Sequence, residues 1–385
     1  MKIFFRVLLF LIFVIVLVLV IAFARGYRFD LEKRLIKSTG IISATSNPKA
    51  AKIYINGQLK GVTDTNLTLA PDNYLVEIKK DGFTGWSKKI NLKGELVINI
   101  DPVLFPINPS LSPLTNLGIV KAVATDDGDK IVIIATDAIY LFDAGKKTLP
   151  FFPPLNKIVS RSLFPDNLDY AAVKIIFSPN QNQAIFDFDQ NSYLLSLGED
   201  NLNPLEITLS KDALIQAWQN EKNKNIAKIL ETYPKDFDKI ASDSFNIISF
   251  SPNETKVLYQ AKKNVELPLM IKPVMIATNQ TPEERSIKKG ETYVYDRKED
   301  KNYQISNFQF PISNLKWYSD SRHLIIEENK KISIVNYDDT NKQTVYSGPF
   351  ENSFFSPTND GKIIVLINLN SQVNELPDLY LVGIR

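Results

Sequence analysis

His323 is the single histidine of the 385-residue chain, and it limits the acid–base and metal chemistry that the protein could perform. It follows Ser319–Arg322 at the start of a predicted strand. The sequence contains no cysteine, which excludes thiolate nucleophiles, disulfides and cysteine metal ligands. With no second histidine or cysteine, a structural imidazole is a better interpretation of His323 than a catalytic triad or a metal ligand.

Paired carboxylates are the other residues that could do chemistry. They occur at Glu283–Glu284, Glu327–Glu328 and Asp338–Asp339. Adjacent residues of an extended chain point to opposite sides, so none of these pairs forms a glycosidase site by itself. The Asp126–Asp129 segment lacks the ligand spacing of an EF-hand calcium loop and is interpreted as a turn. Carboxylates that are distant in sequence can still converge in the folded protein.

Motifs for phosphate or nucleic-acid chemistry are absent from the sequence. No glycine-rich phosphate loop occurs, and Lys222, Lys224 and Lys228 form only a modest basic patch, interpreted as a solvated helix face. Basic and acidic residues balance beyond residue 24, because Lys2 and Arg6 account for the excess of positive charge. This balance argues against nucleic acid as a partner. The sequence therefore predicts a non-enzymatic protein without catalytic, cofactor-binding or metal-binding residues.

An uninterrupted apolar run, Val7–Ala24, determines where the rest of the chain lies relative to a membrane. A helix of this length crosses a hydrocarbon core of about 30 Å, so we predict a transmembrane signal anchor over residues 1–25. The alternative is secretion after cleavage following Ala24, since Ala22-Phe23-Ala24 resembles a signal-peptidase site. The run is longer than the roughly 7–15 residues of a secretory h-region, which favours the anchor. Flanking charges leave the orientation open, because long domains translocate largely regardless of charge.

A polar and basic stalk, residues 26–39, precedes a small antiparallel β domain predicted over residues 40–106. Asn56-Gly57 is a strong hairpin signal, because both residues tolerate positive φ. Period-two alternation follows in Asn73–Lys79, before a turn at Asp81-Gly82. The pattern predicts consecutive short strands with one buried face.

Residues 46–90 resemble the PEGA domain. The residues that carry the resemblance are Tyr54, Gly57, Gly61, Leu69, Pro71, Tyr74, Gly82-Phe83 and Trp86. The chain departs from the family pattern at three turns, Pro48–Ala51, Thr63-Asp64 and Pro71-Asp72. The resemblance implies a prokaryotic protein with these domains outside the cytoplasm, and therefore a cytoplasmic N-terminus. It implies no catalytic residue, and we expect the aromatic residues of this domain to belong to its core.

Residues 107–385 repeat a turn that ends one strand and begins the next. The five copies are Ala124–Gly128, Phe177–Asn180, Phe250–Asn253, Trp317–Asp320 and Phe355–Thr358. Proline suits the second position of such a turn, and Asn, Asp or Gly completes the reversal. A strand–turn–strand unit that recurs at tens of residues is typical of a propeller blade. This region resembles TolB-like and WD-like β-propellers, with five blades recognised and six or seven possible.

Uneven spacing of these copies requires insertions in the propeller. Residues of about 210–240 lose the strand pattern and predict one or two helices, with Ser210 as N-cap. Residues of about 267–290 contain three prolines and a charged Glu283–Arg285 segment, and they predict a long exposed loop. The fold class is therefore mainly β, with a transmembrane helix, a small sandwich-like domain and a propeller.

This architecture predicts a membrane-anchored, extracytoplasmic binding or scaffold protein of the cell envelope. Its propeller would bind an unidentified envelope protein or glycan, and its single span would bind the membrane. The alternative is a propeller hydrolase or lyase of envelope polysaccharide, with central Asp or Glu residues as acid and base. A cluster of buried carboxylates at the centre of the propeller would favour that alternative.

Overall fold

The apolar run at the N-terminus forms a single helix, α1 (Lys2–Ala24). The computed structural model describes residues 2–24, 27–30, 35–145, 154–306, 314–351, 353–369, 372 and 375–384. The 19-residue window Phe4–Ala22 of α1 is long and apolar enough to cross a membrane, and none of it is buried. Its position near the N-terminus is equally compatible with a signal sequence. A fully exposed apolar surface of this length requires a lipid environment or removal.

The chain divides into two units, each with its own core, and α1 is counted with the first. Unit 1 comprises Met1–Ile107 and Pro273–Pro282, and unit 2 comprises Asn108–Lys272 and Glu283–Arg385. Where the sequence predicts a stalk over residues 26–39, unit 1 begins with an antiparallel pair of strands, β1 (Tyr27–Asp30) and β2 (Leu35–Ser38).

Seven further strands of unit 1 form two sheets. In chain order they are β3 (Gly40–Ala44), β4 (Lys52–Ile55), β5 (Gln58–Val62), β6 (Thr65–Leu69), β7 (Asp72–Lys79), β8 (Trp86–Leu92) and β9 (Val97–Ile100). One sheet has the order β5-β4-β7-β8, and the other has the order β6-β3-β9. The pair β3–β9 is parallel, so the domain is not wholly antiparallel as the sequence predicts.

The predicted hairpin at Asn56-Gly57 joins β4 to β5, and both residues have positive φ, 50° and 78°. Period-two alternation in β7 sends Val76 and Ile78 inward, as predicted. Apart from the buried Phe105, however, the described core of unit 1 is aliphatic. Tyr74, Phe83 and Trp86 are only half-buried and pack against its edge, which corrects the expectation that aromatic residues form the core.

The segment Pro273–Pro282 clusters with unit 1 although the sequence places it within the propeller region. The Gln280 side chain pairs with the backbone of Asn91 on the edge strand β8, donating to the carbonyl at 3.1 Å and accepting from the N–H at 2.7 Å. Lys88 donates to Asn279 of the same segment at 2.6 Å. An amide side chain thus satisfies backbone groups that an edge strand would leave unpaired.

Unit 2 is built from four-stranded antiparallel sheets. Its first strand, β10 (Ser110–Pro113), is followed by sheet 1, made of β11 (Ile119–Ala124), β12 (Lys130–Ala135), β13 (Ala138–Asp143) and β14 (Leu155–Ser160). Sheet 2 contains β15 (Lys174–Phe177), β16 (Gln183–Asp187), β17 (Ser192–Ser196) and β18 (Leu205–Glu206).

Two helices separate sheet 2 from sheet 3, where the sequence predicts a helical insertion. They are α2 (Lys211–Leu230) and α3 (Lys235–Ser244). Ser210 occupies the predicted N-cap position, but its hydroxyl donates to Ile207 O at 3.4 Å instead of capping the helix. Helix α3 buries Phe237 and Ala241 in the core of sheet 3.

Sheet 3 contains β19 (Phe245–Phe250), β20 (Lys256–Ala261), β23 (Thr292–Asp296) and β24 (Lys301–Ile305). Between β20 and β23 the predicted loop carries a short pair of strands, β21 (Val265–Glu266) and β22 (Ser286–Ile287). Sheet 4 contains β25 (Leu315–Trp317), β26 (His323–Glu328), β27 (Lys331–Asn336) and β28 (Gln343–Tyr346). The final strands are β29 (Phe355–Pro357), β30 (Ile363–Ile367) and β31 (Asp378–Gly383).

Sheet 5 joins the two ends of unit 2, because its order is β10-β31-β30-β29. The described part of unit 2 therefore contains five four-stranded sheets, one for each repeated turn found in the sequence. In sheets 1 to 4 the first strand along the chain lies at one edge. In sheet 5 that edge is β29, and β10 completes the sheet at the opposite edge. Sequential sheets with a strand borrowed from the start of the domain are the topology of a β-propeller.

Candidate functional site

A repeated turn ends the edge strand of every sheet in unit 2. Each turn is closed by a backbone hydrogen bond from its fourth residue to its first, beginning at Thr125, Ser178, Ser251, Tyr318 and Thr358. The fourth residue has positive φ in all five copies: Gly128, Gln181, Glu254, Ser321 and Gly361. As predicted, proline stands at the second position of two copies, as Pro179 and Pro252. The turns fix where each edge strand stops.

A hydroxyl group holds four of these turns together. In the second copy, Ser178 donates to Asn180 Oδ1 at 2.8 Å and accepts from the Gln183 N–H at 3.1 Å. Thr125, Ser251 and Thr358 make the same two kinds of bond. These local bonds satisfy the backbone where the strand ladder begins.

The structure corrects the predicted register of the last copy. Phe355-Ser356-Pro357 looks like Phe177-Ser178-Pro179 in sequence, but it forms the edge strand β29 itself. Thr358 is the residue that occupies the place of Ser178. Because Pro357 lies on an edge strand, its missing N–H costs no ladder bond.

In the turn of sheet 4, Tyr318 replaces the hydroxyl residue and His323 takes part in the bonding. His323 Nδ1 lies 2.6 Å from Asp320 Oδ2, and the His323 N–H donates to Asp320 Oδ1 at 3.1 Å. Burial of Asp320 opposes its ionisation, but the hydrogen bonds from His323 and from the backbone hold the pKa of this carboxyl below its ordinary value. The imidazole thus lies in a turn, with its Nδ1 next to a carboxylate.

A cavity of about 970 Å³ lies where the edge strands of unit 2 meet. Its walls come from strands β11, β19, β25 and β29 of four sheets, and from Ala171, which lies just before β15 of sheet 2. Aliphatic and aromatic side chains such as Val120, Ile248 and Phe354 make up much of the lining. A concave, largely apolar cavity with a few polar groups is the usual form of a binding site.

Lys121 and Lys316 are the two lysines of this lining. Lys121 of sheet 1 donates to the carbonyl oxygens of Ala171 and Val173 at 3.0 and 2.6 Å, next to sheet 2. Lys316 of sheet 4 donates to Phe355 O of sheet 5 at 3.0 Å. Each ammonium group therefore reaches from one sheet to the next through backbone carbonyl groups.

Burial makes protonation of both lysine side chains less favourable. It lowers the pKa of Lys316 to about 8, an effect that the carboxylate of Asp126 partly opposes. Burial also lowers the pKa of Lys121, and Asp169 opposes this change. A lowered pKa is what an ammonium group shows when its surroundings solvate it poorly.

The acidic residues of the lining, Asp126 and Asp127, are neighbours in one turn. Asp126 Oδ2 accepts from Lys222 of α2 at 2.7 Å, and Asp127 accepts from Thr125 within the turn and from Gln181 of the next one. The lining residues found by the structure thus include no carboxylates converging from different sheets. Sequence reasoning identified Asp126 and Asp127 as turn residues, but it missed both lysines because nothing in their local pattern distinguishes them.

The paired carboxylates singled out in the sequence are not among the residues that line this cavity, and they bind separate partners. Glu283 pairs with Arg285 and Lys301, whereas Glu284 accepts from the Ser286 N–H. Glu327 accepts from Asn314 at 2.7 Å and Glu328 pairs with Lys342. The partners of Asp338 and Asp339 include Thr340 and Ser306, respectively. Within the described part of the chain, no group of three or more acidic or histidine side chains could hold a metal ion.

Comparison with known proteins adds a family to one unit. Residues 39–108 match the PEGA domain. No curated protein matches the chain. Similar solved structures include a putative TolB from Agrobacterium tumefaciens, with 10% identity and a TM-score of 0.21 over 67% of this chain and 70% of that chain.

Two other solved structures show similarly distant likenesses. TolB from Acinetobacter baumannii has 10% identity and a TM-score of 0.23 over 80% of this chain and 59% of that chain. A luciferin-regenerating enzyme has 8% identity and a TM-score of 0.28 over 72% of this chain and 95% of that chain. With TM-scores this low, the propeller assignment rests on the sheet topology of unit 2. The chain thus carries a PEGA domain at residues 39–108, followed by a β-propeller.

Proposed function

We propose that this protein is a non-enzymatic binding protein of the cell envelope, anchored in the membrane by α1, whose propeller cavity receives part of an envelope protein or glycan. The observation that carries this proposal is the cavity of about 970 Å³ lined by residues from four sheets of unit 2 and by Ala171, which precedes sheet 2 in the chain. Its two carboxylates belong to one turn and already have partners, which suits recognition better than acid–base hydrolysis.

The walls of the cavity favour binding for a second reason. The strands that line it are edge strands, so each has backbone groups on one side that no neighbouring strand of its sheet pairs. Such groups, set among apolar side chains, offer both hydrogen bonds and hydrophobic contact to a ligand.

The proposed location follows from the N-terminal elements. An exposed apolar helix long enough to cross a membrane precedes the PEGA domain in the sequence. PEGA domains are extracytoplasmic, so we place the N-terminus in the cytoplasm and both units outside. Sequencing the N-terminus of the mature protein tests the anchor, because cleavage after Ala24 would release the protein.

Site-specific photo-cross-linking in intact membranes tests the binding function. A photoreactive amino acid at Asn359, an exposed residue of the cavity lining, should give a discrete cross-linked product. The matched control is Leu202, which is 70% exposed but outside the lining, and it should give none. Equal products at both positions, or none at Asn359, would refute a binding cavity. Turnover of envelope glycans by the full-length protein would refute a non-enzymatic role.

A further inference from the structure

Two ammonium groups of the cavity lining have no carboxylate partner among the described residues. The ion pairs of that part of the chain do not include Lys121 or Lys316, whose acceptors are backbone carbonyl groups. The nearest acidic group to affect Lys316, Asp126, is already paired with Lys222. Within the described part of the chain, Lys121 and Lys316 therefore have no ion-pair partner, although Asp126 and Asp127 line the same cavity.

Carbonyl oxygens only partly replace the water that an ammonium group loses. Each ammonium group has three N–H donors. Lys121 uses two of them on carbonyl groups and Lys316 uses one, so Lys316 has more donors left for a ligand. An anion that enters the cavity would gain charge-assisted hydrogen bonds, which are about twice as strong as neutral ones.

We propose that the cavity binds an acidic peptide segment, with one of its carboxylates on Lys316 and a second contact at Lys121. This inference rests on the proposed binding function and names the chemistry of its ligand. The unpaired backbone groups of β11, β25 and β29 would pair with the peptide backbone, while the apolar lining would accept its side chains.

The aromatic residues of the lining favour a peptide over a sugar. Glycan sites commonly offer an open aromatic ring face, but of the four aromatic residues of the lining Trp317 and Phe355 are only 7% and 3% exposed, and Phe250 and Phe354 are half-buried. The indole N–H of Trp317 is also buried without a hydrogen-bond partner, so it presents no donor to a sugar hydroxyl group. The two carboxylates of the lining, Asp126 and Asp127, already accept hydrogen bonds from Lys222 and Gln181, whereas the two lysines bind only backbone carbonyl groups.

The same lysines have a purely structural interpretation, in which they only join neighbouring sheets. This interpretation predicts that their removal lowers stability and leaves no specific ligand to lose. Ligand binding and thermal unfolding therefore have to be measured on the same variants.

The test uses the full-length protein in detergent and a fluorescently labelled tetraglutamate peptide, with tetraglutamine as the neutral probe. Tetraglutamate should bind at least about tenfold more tightly than tetraglutamine. Lys316→Met should weaken tetraglutamate binding by about tenfold or more, and Lys121→Met by about threefold. Lys342→Met removes an exposed lysine outside the lining and should change affinity by less than about twofold.

Lys316→Arg keeps the charge and should retain most of the affinity, which separates loss of charge from loss of fold. Equal binding of the two peptides, or full affinity in a Lys316→Met protein with an unchanged melting temperature, would overturn the inference. Tighter binding of tetragalacturonate than of tetraglutamate would overturn it in favour of an acidic glycan. A cross-link at Asn359 without tetraglutamate binding would keep the proposed function and reject this ligand class.

Discussion

The two units of the protein bury very different kinds of polar group. In the described part of unit 1 the buried polar residues are Ser46, Thr63 and Thr84, none of which titrates in the normal pH range. The described part of unit 2 buries charged or titratable residues of both signs: Lys256, Asp296, Asp300, His323, Glu327, Asp338 and Asp378. The small core of unit 1 thus excludes charge, whereas unit 2 buries it, in the case of Lys256 and Asp296 on neighbouring strands of one sheet.

This difference shows which interactions specify the fold of each unit. In unit 1, the aliphatic core and the alternation of the strands define the fold. In unit 2, buried charges are satisfied by partners on particular turns and insertions, as when Asp300 accepts from the backbone of Met270 and Ile271 at 2.7 and 2.9 Å. Breaking a buried pair leaves an uncompensated charge, which costs more than the pair itself contributes.

The largest predicted effect is on the pair Lys256–Asp296, whose side chains lie 3.3 Å apart and almost fully buried. Asp296→Ala should lower the unfolding free energy of unit 2 by about 3–5 kcal/mol, because Lys256 then remains buried without its counter-charge. Urea unfolding in a Trp86→Phe background measures this, since Trp218 and Trp317 then report on unit 2.

The matched control in unit 1 is the exposed pair Lys52–Asp81, with atoms 3.4 Å apart. Asp81→Ala should cost less than about 1 kcal/mol, as surface ion pairs usually do. Losses of equal size for the two substitutions would remove the contrast between the units.

A smaller effect is predicted for the buried hydroxyl pair of unit 1. Thr63 Oγ1 lies 2.6 Å from Ser46 Oγ and accepts from the Ala51 N–H at 3.0 Å. Thr63→Val should lower the unfolding free energy of unit 1 by about 1–3 kcal/mol, because both groups lose a partner. Fluorescence of Trp86 in a Trp218→Phe/Trp317→Phe background follows this unit, and the loss should be the same at pH 6 and pH 9. A loss that varies with pH would contradict the conclusion that the buried polar groups of unit 1 do not titrate.

The smallest effect concerns Lys316, whose folded-state pKa of about 8 lies below the value of about 10.4 for an unfolded lysine. Between these values the unfolded state binds more protons, so this group makes unit 2 more stable as the pH rises from 7 to 9.5. Lys316→Met should reduce that rise by about 1–2 kcal/mol. Measurements stop at 9.5 because burial raises the pKa of Tyr295 and Tyr303, which opposes the trend at higher pH.

An equal rise in stability with pH in the parent protein and in the Lys316→Met protein would contradict this prediction. Asp126 and its partner Lys222 are the other charged groups to control, because Asp126 acts on Lys316. A Lys222→Met protein should keep the pH dependence of the parent protein.

Local patterns in the sequence predicted much of the fold. The hairpin at Asn56-Gly57, the prolines of two turns and the position of two helices follow from short-range chemistry, and the structure contains them. The predicted register of Phe355–Thr358 was wrong. The Phe-Ser-Pro motif places the turn at Ser356, but the hydrogen bonds place it two residues later, at Thr358.

The cavity and the contacts of the edge strand β8 could not be predicted from the sequence, for another reason. Lys121 and Lys316 lie far apart in the chain, and only the arrangement of the sheets makes them line one cavity. Likewise, Gln280 reaches Asn91 across 189 positions, and an isolated glutamine in a loop carries no signal of its partner.

Because β10 pairs with β31, sheet 5 of unit 2 can be completed only after its last strand has been synthesised. Leu379 donates to Thr115, a residue 264 positions earlier, so the first strand must wait for almost the whole unit to be made. Contacts of such long sequence separation fold slowly. Until β31 has been synthesised, β10 has no partner strand in sheet 5, and its backbone groups stay open to other chains.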